Sequence, residues 1–157
     1  MKNKYINIYN NLIKLTRNKN LYLNLEKKDT FSDRLIFLFF HFAFFLKQYK
    51  KDMSKKESQN LFDYFIRQIE LSIREIGYGD VSVNKRMKEY VNLFYSILEK
   101  AEMWDVSNHH LRQKIVKNFL TISKDYQYYV DYFEKYRIFL RNNTLNNFLK
   151  DILDLKF

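Results

Sequence analysis

The chain contains no proline and only two glycines, so few positions along its 157 residues favour a break in a helix. Both glycines, Gly77 and Gly79, lie in REIGYGDVSV, residues 74–83, between two runs with strong helical periodicity. Gly77 is placed to end one helix in a left-handed backbone conformation, and Gly79 to allow a second unusual backbone angle. The sequence therefore predicts a corner between two helices.

Helical periodicity extends through most of the chain. Apolar residues recur at spacings of three and four, whereas strand-like alternation, internal repeats and linkers are not found. The third helix shows this best, with an apolar stripe from Leu61 to Ile76. We predict an all-α fold, a single-domain bundle of about six helices that occupies residues 1–157.

Several helix starts carry capping residues. Ser54 and Glu57 form a capping-box pattern at the start of the third helix. Thr30 or Ser32 is placed to cap the second helix, and Ser107 to cap the fifth. A sixth helix is expected from about residue 123, with an interruption at RNNT, residues 141–144.

The most apolar stretch is LIFLFFHFAFFL, residues 35–46. It is shorter than the roughly 20 residues that a membrane-spanning helix needs. We therefore expect it to form a buried core helix rather than a transmembrane segment, with insertion at a membrane interface as the alternative. No signal peptide is recognisable, and the N-terminus resembles an amphipathic helix.

The charge of the chain favours an anionic partner. The net charge is +10, and residues 1–25 contain five cations and no acid. A second basic segment is KQYKKDMSKK, residues 47–56. Nucleic acid, the ribosome or an acidic membrane surface would suit this charge, as would a solvated lysine-rich surface. The absence of cysteine excludes disulfides and thiolate metal sites.

Charged residues surround the two glycines. Glu70 and Arg74 have the i,i+4 spacing of a favourable helix ion pair. If the fourth helix begins near residues 82–83, Lys85 and Arg86 fall in its first turn, where the helix dipole disfavours cations. An internal salt-bridge network or an anionic partner could offset that cost, and the sequence leaves both open.

The same region carries a family resemblance. REIGYGDVSVNKRMKEYVNLFYSIL, residues 74–98, closely resembles the ubiquinol–cytochrome c chaperone family. The family pattern there is R-E-hydrophobic-G-x-G-D-hydrophobic-S-V-x-K, followed by an aromatic helix. Segments 9–22 and 29–46 resemble earlier parts of the family in the same order, including a histidine seven residues after an arginine. The resemblance spans about residues 9–100.

The resemblance implies an assembly factor rather than an enzyme. Mitochondrial relatives bind newly made cytochrome b of the ubiquinol–cytochrome c reductase near the ribosomal tunnel exit, together with a small partner protein. For this chain the resemblance implies a bacterial member that is cytoplasmic or peripheral at the inner membrane. It also implies a cytochrome b client, ribosome contact, no cofactor and no small-molecule substrate.

Nine residues are candidates for partner binding. Arg34 and His41 are two turns apart on one helix face and could shape a pocket, and the other seven surround the glycine corner. The candidates are Arg34, His41, Arg74, Glu75, Gly77, Gly79, Asp80, Lys85 and Arg86.

Two other function classes remain as alternatives. A basic nucleic-acid-binding or general protein-interaction domain suits the charge, but no helix-turn-helix signature is present. An enzyme would have to depend on His41 alone, because no nucleophile, paired acids or phosphate loop accompanies it. A lone histidine in a core helix is more typical of a hydrogen-bonded structural residue.

Overall fold

Helices form nearly all of the regular structure in the computed structural model, which describes residues 2–26, 30–122 and 124–150. The described residues contain seven α-helices: α1 (Lys2–Thr16), α2 (Phe31–Tyr49), α3 (Lys55–Ile76), α4 (Asp80–Glu102), α5 (His109–Phe119), α6 (Tyr126–Asn142) and α7 (Leu145–Leu149). Three short 3₁₀ segments lie at Lys19–Tyr22, Lys50–Asp52 and Trp104–Val106. A single β-bridge joins Leu25 to Ile122. The predicted all-α bundle is confirmed, with seven helices rather than six.

Helix α2 is the centre of the core. It packs against α1, α4 and α6, and nearly all of residues 35–46 are buried. Its aromatic rings meet partners on every side: Phe42 stacks on Phe65 of α3, and Phe40 stacks on Phe133 of α6. A helix that is apolar all round must be buried, which confirms that this segment is core. None of the described helices is both long and apolar enough to cross a membrane.

Two of the three predicted caps are confirmed, and the third lies at the neighbouring residue. The Thr30 hydroxyl caps α2 in a capping box with Asp33, and Ser54 caps α3 with Glu57. The cap of α5 is Asn108 rather than Ser107, because the Asn108 side chain accepts a hydrogen bond from the Leu111 amide at 2.9 Å.

The C-terminal helices follow the predicted interruption. Helix α6 ends at Asn142, and the Thr144 side chain caps α7. Helix α6 starts later than expected, at Tyr126, after the left-handed residue Asp125. The expected start at Ser123 lies outside the described residues.

A network of charges fixes the turn between α4 and α5. The Trp104 indole donates to Glu134 at 2.8 Å, and Arg112 lies 3.3 Å from the same carboxylate. A hydrogen bond from Arg137, followed by the one from Trp104, holds the pKa of Glu134 at about 2. Arg137 also reaches Asp105 at 3.2 Å, which in turn pairs with Lys47 of α2. Lys47 is therefore part of the fold rather than of a free basic patch.

The two glycines have different roles in the corner between α3 and α4. Gly77 ends α3 in the left-handed conformation (φ 106°, ψ 13°), as predicted, and its amide donates to the Arg74 carbonyl at 3.0 Å. Gly79 is the N-cap of α4 at φ −73° and ψ 164°, which is ordinary extended backbone. The expectation of an unusual angle at Gly79 is therefore wrong, and α4 begins at Asp80, before the expected start.

The same substitution at the two glycines should have opposite effects. A Cβ at either position meets no atom within 4 Å, so backbone conformation alone decides the outcome. Gly77→Ser should lower the free energy of unfolding by about 1–2 kcal/mol, the cost of a left-handed L-residue. Gly79→Ser should leave stability unchanged or raise it, because serine is a favoured N-cap. Urea unfolding of both variants tests this, and equal losses would contradict the assignment.

Candidate partner-binding surface

The corner between α3 and α4 projects away from the core. Ile73 and Val83 are buried, but every residue from Glu75 to Ser82 is exposed. Val81 keeps 84% of its surface in solvent and Ile76 53%. Ile76 was expected to belong to the buried stripe of α3. That expectation is wrong, because the stripe reaches the core only as far as Ile73.

Arg74 connects the two helices that meet at the corner. Its guanidinium contacts Glu70 at 3.1 Å within α3 and Asp80 at the start of α4. The hydrogen bonds to Asp80 and Glu70 raise the pKa of Arg74, and the one from Arg74 lowers the pKa of Glu70. The sequence-predicted Glu70–Arg74 pair is thus present. Arg74 and Asp80 have structural partners inside the corner.

Lys85 and Arg86 lie on the same side of the molecule but differ in environment. Lys85 is exposed, whereas the Arg86 guanidinium lies 3.9 Å from the centre of the Tyr78 ring. Because α4 begins at Asp80, both residues fall in its second turn rather than its first. The expected dipole penalty is therefore smaller, since that effect fades beyond the first turn.

Exposed apolar and cationic side chains thus share one projecting surface. Isolated exposed apolar residues are normal, whereas a cluster of them flanked by charge is a candidate for partner binding. Sequence reasoning missed the apolar part, although a tyrosine and a valine beside the two glycines of the predicted corner were a usable signal. We call this the corner surface and define it as Arg74, Ile76, Tyr78, Val81, Lys85 and Arg86.

The other two candidates, Arg34 and His41, lie in different environments. Arg34 is exposed and lines a cleft between α1, α2 and α3. His41 is fully buried and faces Tyr132 and Tyr136 of α6. The structure therefore does not place them in one pocket. Within the described ranges, no three His, Asp or Glu side chains come together as metal ligands.

Hydrogen bonds fix the His41 ring and its tautomer. Nδ1 lies 2.6 Å from the Phe37 carbonyl oxygen, and Nε2 lies 2.6 Å from the Tyr132 hydroxyl. A carbonyl oxygen can only accept, so Nδ1 carries the proton and Nε2 accepts from Tyr132. The Tyr136 hydroxyl donates to the His41 carbonyl at 2.8 Å. Burial lowers the pKa of His41 to about 4, so the ring is neutral at physiological pH.

Comparison with known proteins assigns the family. A family model described as Ubiquinol-cytochrome C chaperone matches residues 24–148. The chain belongs to this family. The match covers α2 to α6 and most of α7, including the corner surface. It extends beyond the expected limit near residue 100 but does not reach back to the expected start near residue 9. Comparisons with the curated proteins and with the solved structures found no match.

Membership of the ubiquinol–cytochrome C chaperone family bears on what the corner surface could bind. The family is named for a chaperone role, and that role requires a protein client. A chaperone needs accessible surface for its client, which the corner surface provides and the buried His41 does not.

The buried His41 should make stability depend on pH. The pKa is about 4 in the fold against 6.5 in the unfolded chain. The unfolded state therefore binds the proton first, and stability falls as pH drops below 6.5 towards 4. From pH 7.5 to pH 5 this group should remove roughly 2 kcal/mol from the free energy of unfolding.

Urea unfolding across that pH range measures the effect. His41→Gln removes the titrating group and serves as the control, since contributions from all other groups remain. The difference in stability between the two proteins should shrink as pH falls. Parallel pH profiles for both would contradict a buried neutral His41.

Proposed function

We propose that this protein is an assembly chaperone for the ubiquinol–cytochrome c reductase and that it binds newly made cytochrome b through the corner surface. Family membership supports the chaperone role. The observation that supports binding at this place is the projecting corner. There the exposed side chains of Ile76, Tyr78 and Val81 adjoin Lys85 and Arg86.

The chemistry of the corner surface suits such a client. A newly made membrane protein presents apolar segments that must be kept from water before they reach lipid. Exposed apolar residues of the chaperone can cover part of such a segment. Hydrogen bonds and the Arg74–Asp80 ion pair connect the two helix ends at the corner, and such pre-organisation lowers the ordering cost of binding.

The cations of the corner surface bear on where in the cell the protein would act. Client synthesis brings the chaperone close to ribosomal RNA, whose phosphates attract Lys85 and Arg86. The same cations would meet anionic lipid at the inner membrane, where we propose peripheral association. We also include a small partner protein in the proposed assembly. The proposed role is binding, with no catalytic step.

Charge reversal at the corner tests the proposal. Lys85→Glu combined with Arg86→Glu should reduce co-purification of cytochrome b at least tenfold, because attraction to the anionic surroundings becomes repulsion. Stability should fall by about 1 kcal/mol or less, since only an exposed contact between Arg86 and Tyr78 is lost. Quantitative mass spectrometry of the tagged chain from membranes and ribosomes gives the readout.

A matched control uses the same change of charge elsewhere. Lys55→Glu combined with Lys56→Glu alters two exposed lysines at the opposite end of α3, about 30 Å from the corner by helix rise. This variant should retain the client. Equal loss in both variants would mean that only net charge matters, and retention in both would place the client site elsewhere. Nuclease treatment separates ribosome contact from direct client contact.

A further inference from the structure

A second accessible site lies between α1, α2 and α3, and it shares no residue with the corner surface. It is a cleft of about 410 Å³, within the usual size range of ligand pockets. Ile13 of α1, Leu35 and Leu38 of α2 and Ile69 of α3 contribute apolar side chains to it. The cleft begins on α1, so part of it lies outside the segment that matches the family model.

Four side chains in the cleft wall carry hydroxyl groups, and all four are engaged: that of Tyr9 forms a hydrogen bond with Ser72. The Thr16 hydroxyl donates to the Leu12 carbonyl at 2.8 Å, and the Ser72 hydroxyl donates to the Gln68 carbonyl at 3.0 Å. The Tyr22 hydroxyl donates to the Thr16 carbonyl at 2.7 Å. Because these protons are used within the fold, the wall suits a hydrocarbon better than a sugar or a base.

The rim of the cleft is cationic. Arg17 at the end of α1 and Lys19 in the following 3₁₀ segment are both exposed, and Arg34 lies across the cleft on α2. None of the described residues that line the cleft is acidic. The cleft therefore combines an apolar interior with a cationic edge.

The shape and polarity of the cleft point to a narrow occupant with one charged end, because the apolar interior adjoins a cationic edge. A narrow hydrocarbon chain that ends in a charged group fits both its size and its polarity.

We propose that this cleft binds one anionic single-chain amphiphile. The hydrocarbon chain lies against Ile13, Leu35 and Ile69, and the carboxylate or phosphate head is held by Arg17 and Lys19. A fatty acid and a phosphate-headed lipid share this chemistry. The site shares no residue with the corner surface, although Ser72 in its wall lies one helical turn before Ile76.

Calorimetric titration of the 157-residue chain tests the proposal with four probes. Dodecyl phosphate and laurate carry an anionic head on the same chain, dodecyl maltoside carries a neutral head, and inorganic phosphate has no chain. We expect one equivalent of an anionic probe to bind below its micelle concentration, and the tighter of the two identifies the head group. Dodecyl maltoside and inorganic phosphate should bind at least tenfold more weakly.

Two variants and a control locate the site. Arg17→Ala with Lys19→Ala should weaken binding about tenfold or more, as expected for lost charge-assisted contacts. Ile13→Trp should fill the cleft and abolish binding, and Lys55→Ala with Lys56→Ala should bind normally. Equal affinity for dodecyl maltoside, or equal effects of the two double alanine variants, would overturn the proposal. The rim variant alters only exposed side chains, so it keeps the test valid if Ile13→Trp fails to fold.

Discussion

The burial of α2 on all sides is the constraint on which the rest of the structure depends. Its phenylalanines point in every direction, so several helices are needed to cover them: Phe42 meets α3, Phe40 meets α6 and Phe45 meets α7. The other helices can therefore be amphipathic, because each needs only one face for the core. The one buried histidine fits because both ring nitrogens and its carbonyl oxygen have partners.

The two proposed sites lie at the edges of the core that the other helices form around α2. The buried stripe of α3 ends at Ile73, and α4 returns to the core at Val83. The residues between them form a corner that the core does not require, which leaves Ile76, Tyr78 and Val81 free to serve a partner. The cleft is likewise at the edge of the core, where residues of α1 and α3 meet the start of α2. The buried centre thus leaves two accessible surfaces at its edges.

Sequence patterns predicted the local features well and the surfaces poorly. The capping box of α3, the left-handed Gly77 and the core helix at 35–46 each depend on residues close together in sequence, and all are confirmed. The start of α4 was misplaced because its N-cap is a glycine without a side-chain signal. The exposure of Ile76 and the cleft beside Arg17 depend on where whole helices diverge, which no local pattern records. The cations of residues 1–25 indicated an anionic partner, but not the apolar cleft beside them.

The most direct test of the central claim is photo-crosslinking from the corner surface during synthesis of cytochrome b. A photoreactive amino acid at Val81, which is 84% exposed, should form an adduct with newly made cytochrome b. The same probe at Asn60, an exposed position in the N-terminal half of α3, should form none. Adducts from Asn60 but not from Val81, or from neither position while the client still co-purifies, would contradict the assignment of the corner as the client-binding surface.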